Sequence, residues 1–124
     1  MRYRLAIIIF FITAAVVAQS AVFYVPQKSV KFPKTIEGET IHYTYYVTNR
    51  GKVPLMIYSF ETECTCTNVL LPTGPIDPGK TAKIDVTFNT SGKYFFQDRL
   101  ITLKTNTRKK KEILHLKVFI IPKE

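Results

Sequence analysis

Two cysteines separated by one residue, Cys64-Thr65-Cys66, are the only thiols in this chain of 124 residues. Three chemistries suit such a pair: reduced thiols packed as small apolar groups, a bridge between them, or thiolates holding a soft metal such as copper(I) or zinc. In an extended strand the i and i+2 Cα atoms lie about 6.6 Å apart, from a rise of about 3.3 Å per residue, with Cβ atoms nearly parallel. A disulfide wants its Cβ atoms about 3.8 Å apart, so a bridge here requires a tight bend. Closing so short a ring gains roughly 1.6 kcal/mol of chain entropy before strain is subtracted. A closed zinc site needs two ligands beyond Cys64 and Cys66. The two imidazoles, His42 and His115, fall in distant strands at polar-face positions, and Met56 makes no methionine-rich copper motif. Glu61 and Glu63 precede the pair, and their charge disfavours a thiolate.

Other reactive constellations are missing. The chain has no Gly-x-Ser-x-Gly elbow, no glycine-rich phosphate loop, no His-Glu-x-x-His and no Cys-x-x-Cys. Its carboxylates are scattered over turns and strand exteriors, so the expectation is a protein without catalytic residues. Binding has a better candidate. Tyr94-Phe95-Phe96 follows Gly92 at a turn close to the start of a strand. Such a cluster either caps the end of a fold or serves as a partner surface, where Tyr and Phe are enriched. The basic run Arg108-Lys109-Lys110-Lys111 lies between two strand candidates and reads as a solvated loop.

The elements that must carry these residues alternate with period two. Ile41, Tyr43, Tyr45 and Val47 share one face of Thr40–Thr48, and His42, Thr44, Tyr46 and Thr48 the other. Ala82, Ile84, Val86 and Phe88 do the same in Thr81–Phe88, and Leu114, Leu116, Val118 and Ile120 in Ile113–Ile121. Successive side chains of a strand point to opposite faces, so this is the pattern of half-buried strands, with Tyr43, Tyr45 and Phe88 in the core. Ser29–Phe32, Leu55–Phe60, Cys64–Leu70 and Leu100–Thr105 complete a set of about seven. Turn chemistry separates them at Glu37-Gly38-Glu39, Asn49-Arg50-Gly51-Lys52, Pro72-Thr73-Gly74-Pro75, Asp77-Pro78-Gly79-Lys80 and Asn89-Thr90-Ser91-Gly92. Seven short strands spaced by turns predict one all-β unit over 27–124, an immunoglobulin-like antiparallel β-sandwich with Greek-key connections.

Ahead of that unit, Arg2 and Arg4 precede the apolar run Leu5 to Val17, and small residues offer cleavage after Ala18 or after Ser20. These are the parts of a secretory signal peptide over 1–18. The competing reading is an uncleaved anchor, for which the run is short, since a spanning helix takes roughly 20 apolar residues. Without Arg2 and Arg4, 16 Lys+Arg face nine Asp+Glu, and the net charge falls from +9 to +7. The excess suits acidic partners, and export sets nucleic acid aside. The expected location is periplasmic or extracellular, with no membrane contact after cleavage.

Several segments resemble one known family. They are Val30 to Glu39 with its Gly38-Glu39 turn, Val47-Thr48-Asn49-Arg50-Gly51-Lys52-Val53-Pro54-Leu55, Cys64-Thr65-Cys66-Thr67, Pro75-Ile76-Asp77-Pro78-Gly79-Lys80, Val86 to Thr90, and Leu103-Lys104-Thr105-Asn106. In order and spacing they resemble domain-of-unknown-function family 1573 over about 30–121. That group is Ig-like, frequent in exported proteins of Bacteroidetes, and similar in architecture to sperm-protein and Hydin-type Ig domains. The family usually has Gly where this chain has Thr65, which puts in question any property needing positive φ there. The resemblance implies a fold and an address but no activity. The expectation is therefore a non-enzymatic cell-envelope accessory or interaction module with a protein partner. The alternative is a metal-handling or thiol protein using Cys64 and Cys66.

Overall fold

The computed structural model describes residues 8–11 and 19–124. The leader expected over 1–18 therefore lies, apart from 8–11, outside the described residues. Among the described residues no helix is long and apolar enough to cross a membrane.

The described residues form nine strands: β1 (Phe23–Tyr24), β2 (Ser29–Lys31), β3 (Thr35–Ile36), β4 (Thr40–Asn49), β5 (Ile57–Thr62), β6 (Thr67–Leu70), β7 (Thr81–Asn89), β8 (Phe95–Thr105) and β9 (Lys111–Ile121). They form two packed sheets, one in the order β1-β4-β7-β6 and one in the order β2-β9-β8-β5, with β3 also on β9. This is the expected all-β, Ig-like sandwich, with two corrections. The seven anticipated strands are joined by β1 and β3, two-residue segments too short to show a period. The pairing is also not wholly antiparallel, because β2 and β3 run parallel to β9.

Alternation puts the core where expected. Ile41, Tyr45 and Val47 of β4, Ile84, Val86 and Phe88 of β7, and Leu114, Leu116, Val118 and Ile120 of β9 are buried between the sheets. Tyr43 packs against them. Each large apolar side chain so buried contributes about 1.5–3 kcal/mol. The Tyr45 hydroxyl crosses the core and donates to the His115 carbonyl at 2.7 Å. The ordered fold begins before residue 27, because Ala21, Phe23 and Val25 are part of the core.

One end of the sandwich is closed by a hydrogen-bonded lock. Asn49 is fully buried, and its Nδ2 donates to the carbonyls of Val53 (2.8 Å) and Ile76 (2.9 Å). Its Oδ1 accepts from the amides of Gly51 (2.9 Å) and Val22 (3.3 Å). Leu55 and Ile76 exchange backbone bonds of 2.8 and 2.9 Å, and Gly79 N donates to Asn49 O at 2.7 Å. Asn106 completes the closure, accepting from Met56 N at 2.8 Å and donating to Pro54 O at 2.9 Å. Gly51 has to be glycine, because a Cβ there would collide with the Ser20 carbonyl oxygen and stand 2.7 Å from the Ala21 Cα.

Candidate functional site

The cysteines occupy the crossover from β5 in one sheet to β6 in the other. They stand in a turn ahead of β6, which starts at Thr67, so the strand expected from Cys64 begins three residues later. The turn is closed by Thr67 N donating to Cys64 O at 3.2 Å, and Thr62 Oγ1 donates to the same carbonyl at 3.0 Å. This bend brings the two Cα atoms to 5.1 Å, below the spacing of a regular strand, and Cys64 and Cys66 form a disulfide. That corrects the reading as packed, reduced thiols. With each sulfur bonded to the other, neither offers a thiolate to copper(I) or zinc in this state. Thr65 is not among the residues with positive φ, so the ring closes here without the left-handed conformation that glycine would permit.

Neither histidine stands near this pair in the sheets. His42 is exposed on β4. His115 is half-buried on the outer face of β9, with Nδ1 3.0 Å from Asp98 Oδ1 of β8. Glu61 accepts from the Lys104 ammonium at 2.8 Å. That hydrogen bond, and then the charge behind it, hold its carboxyl below the usual range. No group of three or more His, Cys, Asp or Glu converges among the described residues. The basic run forms the exposed β8–β9 turn, with Lys110 at positive φ.

The aromatic cluster has a definite place at the end opposite the Asn49 lock. Phe95 and Phe96 lie inside β8, which starts five residues earlier than the anticipated Leu100. Tyr94, Phe95 and Phe96 are exposed, and the rings do not cap the core. Along β8 the odd positions Ile101, Leu103 and Thr105 face inward, and by parity so does Phe95, whose partner Ile120 is fully buried. Yet the Phe95 ring lies 6.2 Å from that of Phe119, an outer-face residue of β9, and is 60% exposed. The reversal comes from the backbone: Phe95 has φ +63°, a left-handed conformation that costs a non-glycine residue about 1–3 kcal/mol.

The result is a shelf of three rings, Phe95, Phe96 and Phe119, with Phe96 and Phe119 directly opposite each other in the β8–β9 ladder. The Lys34 ammonium stands 5.8 Å from the Phe119 centroid. A depression of about 340 Å³ lies between the β2–β3 link and the Phe96 and Phe119 rings. The paired and exposed Ile36 and Ile121 extend the apolar surface. The sequence showed the aromatic run but not Phe119, Ile36 or Ile121, which join it only through strand pairing.

Comparison with known proteins bears on the fold. A protein of unknown function from Porphyromonas gingivalis W83 superposes with a TM-score of 0.72 at 17% identity, over 82% of this chain. The match covers 48% of that protein, so this chain spans about half its length. The PapD-like domain 7 of human CEP192 gives a TM-score of 0.60 at 16% identity, covering 85% of this chain and 89% of that one. WR4, an MSP family member of C. elegans, gives 0.52 at 12% identity over 80% and 97%. At such identities the likeness is one of fold alone, an Ig-like β-sandwich. Among curated proteins nothing matches the chain. The model of one family, described as "Protein of unknown function (DUF1573)", matches residues 23–120, nearly the whole sandwich, and the chain belongs to that family.

Proposed function

We propose that this protein is an exported, non-enzymatic interaction module of the cell envelope that engages a protein partner through the Phe95-Phe96-Phe119 shelf. The observation that carries the reading is Phe95: the backbone adopts a costly conformation, and the ring it turns outward stays mostly in water. A conformation that costs energy without burying its side chain is the kind that persists where a surface serves a partner. Aromatic rings at the centre of an interface supply large contact area with little conformational entropy to lose. The leader-like start and the cysteine bridge, which suits an oxidising compartment, support export.

A photo-crosslinking side chain placed at Phe96, with a control at Tyr46 on the outer face of the other sheet, tests the reading in cells that make the protein. Discrete adducts with an envelope protein from position 96 and none from position 46 are expected. Equal labelling from both positions, or none from either, refutes it.

A further inference from the structure

The shelf adjoins a length of strand that has a partner on one side only. β9 pairs with β8 from Phe95 to Lys104, whereas β5 pairs with it only from Ile101 to Thr105. Among the described residues, Phe96–Leu100 is therefore a free sheet edge of five residues. The gap is built in, because β5 leaves the sheet at Thr62 through the disulfide-closed turn and re-enters the opposite sheet as β6. A free edge carries a row of backbone donors and acceptors, and an added strand satisfies them.

Sheet edges are commonly guarded by a charge that points inward, which turns away strands offering only apolar groups. Arg99 is such a charge. It reaches between the sheets with its guanidinium carbon 5.1 Å from the Phe88 centroid and one nitrogen donating to the Gln97 side-chain amide oxygen. Its Nε is buried and has no acceptor among the described residues. A buried donor without a partner costs about 1–3 kcal/mol, and a carboxylate supplies the strongest acceptor for it. The charge that repels an apolar strand thus admits one that brings an acid.

From these features, and resting on the shelf as the contact surface, we propose that the Phe96–Leu100 edge receives an extended segment of the partner carrying a carboxylate opposite Arg99. Residues facing each other across a ladder share a face of the sheet. In an antiparallel mate, the commoner pairing, the residue opposite Arg99 points inward to the guanidinium. The residue before it faces Leu100 on the outer side, and the third residue after it lands beside Phe96 and the shelf. The recognised segment therefore reads apolar, Asp or Glu, any, any, apolar or aromatic.

Selection of a displayed library of random twelve-residue peptides on the protein tests this. Enriched peptides are expected to share that five-residue pattern, to compete with one another, and to lose roughly tenfold or more in affinity when alternate amides are N-methylated. Selection on Arg99→Glu is expected to replace the acid by Lys or Arg, and Arg99→Gln, the milder variant, to erase the acidic preference. Peptides that need Phe96 yet show no acid, or tolerate N-methylation, overturn the strand inference and leave the shelf reading standing. If Phe96→Ser leaves the binding of every enriched peptide unchanged, or if no peptide is enriched at all, the shelf reading falls and the strand inference with it. A dimer in sedimentation that Phe96→Ser dissociates assigns the edge to a second copy and overturns the proposal.

Discussion

Tyr45 illustrates how a single hydroxyl couples the two sheets. Burial first, and then the neighbouring Tyr43, push its phenol pKa well above the ordinary value. The folded protein therefore keeps a proton that the unfolded chain releases near pH 10. The associated stability is intact below about pH 10 and is lost progressively as pH rises beyond it. Tyr45→Phe removes the bond to the His115 carbonyl and should cost about 1 kcal/mol at pH 7. The decline in stability above pH 10 should be shallower in the variant, as read by urea denaturation at several pH values. The disulfide is a contrasting case. Its ring is so short that replacing both cysteines by serine should lower the unfolding free energy by no more than roughly 1.6 kcal/mol. A much larger drop in a denaturation curve would show that the bridge holds more than the turn.

At the scale of elements, the motifs that resemble the family turn out to be structural. Asn49, Gly51, Leu55, Ile76, Gly79 and Asn106 all meet in one lock that ties the ends of β4 and β8 and the starts of β5 and β7. Asn49→Ala leaves the Val53 and Ile76 carbonyls without that donor and should cost about 3 kcal/mol or more. Chemical denaturation measures the loss, and a cost below 1 kcal/mol would mean that water replaces the amide. Strand alternation made β4, β7 and β9 readable because each has one buried face. The start of β8 was not readable, since Gln97 and Arg99 take inward positions while Phe96 and Leu100 take outward ones, the reverse of a half-buried strand. The cysteine turn was missed because Cys64-Thr65-Cys66-Thr67 alternates apolar with polar and so reads as strand, although its phase is opposite to that of the buried Thr67 and Val69. Nothing in the sequence marked Phe95 as left-handed, a conformation signalled ordinarily by Gly or Asn.

Over the whole molecule, the lock and the shelf sit at opposite ends, so stability and recognition are separable by mutation. Phe95→Gly relieves the positive φ and should leave the thermal midpoint unchanged or raise the unfolding free energy by up to about 1 kcal/mol, while abolishing the crosslinks formed from position 96. Loss of stability in that variant would instead assign the ring a packing role. The same polarity governs how anything fused to the polypeptide is displayed. Ala21 bridges Thr107 and Ser20 O accepts from Lys52 N, both at the locked pole, whereas β9 finishes at Ile121 beside the rings. A tag or a retained anchor ahead of Gln19 holds the molecule by its far pole and presents the rings outward. A bulky group joined after Glu124 would crowd them.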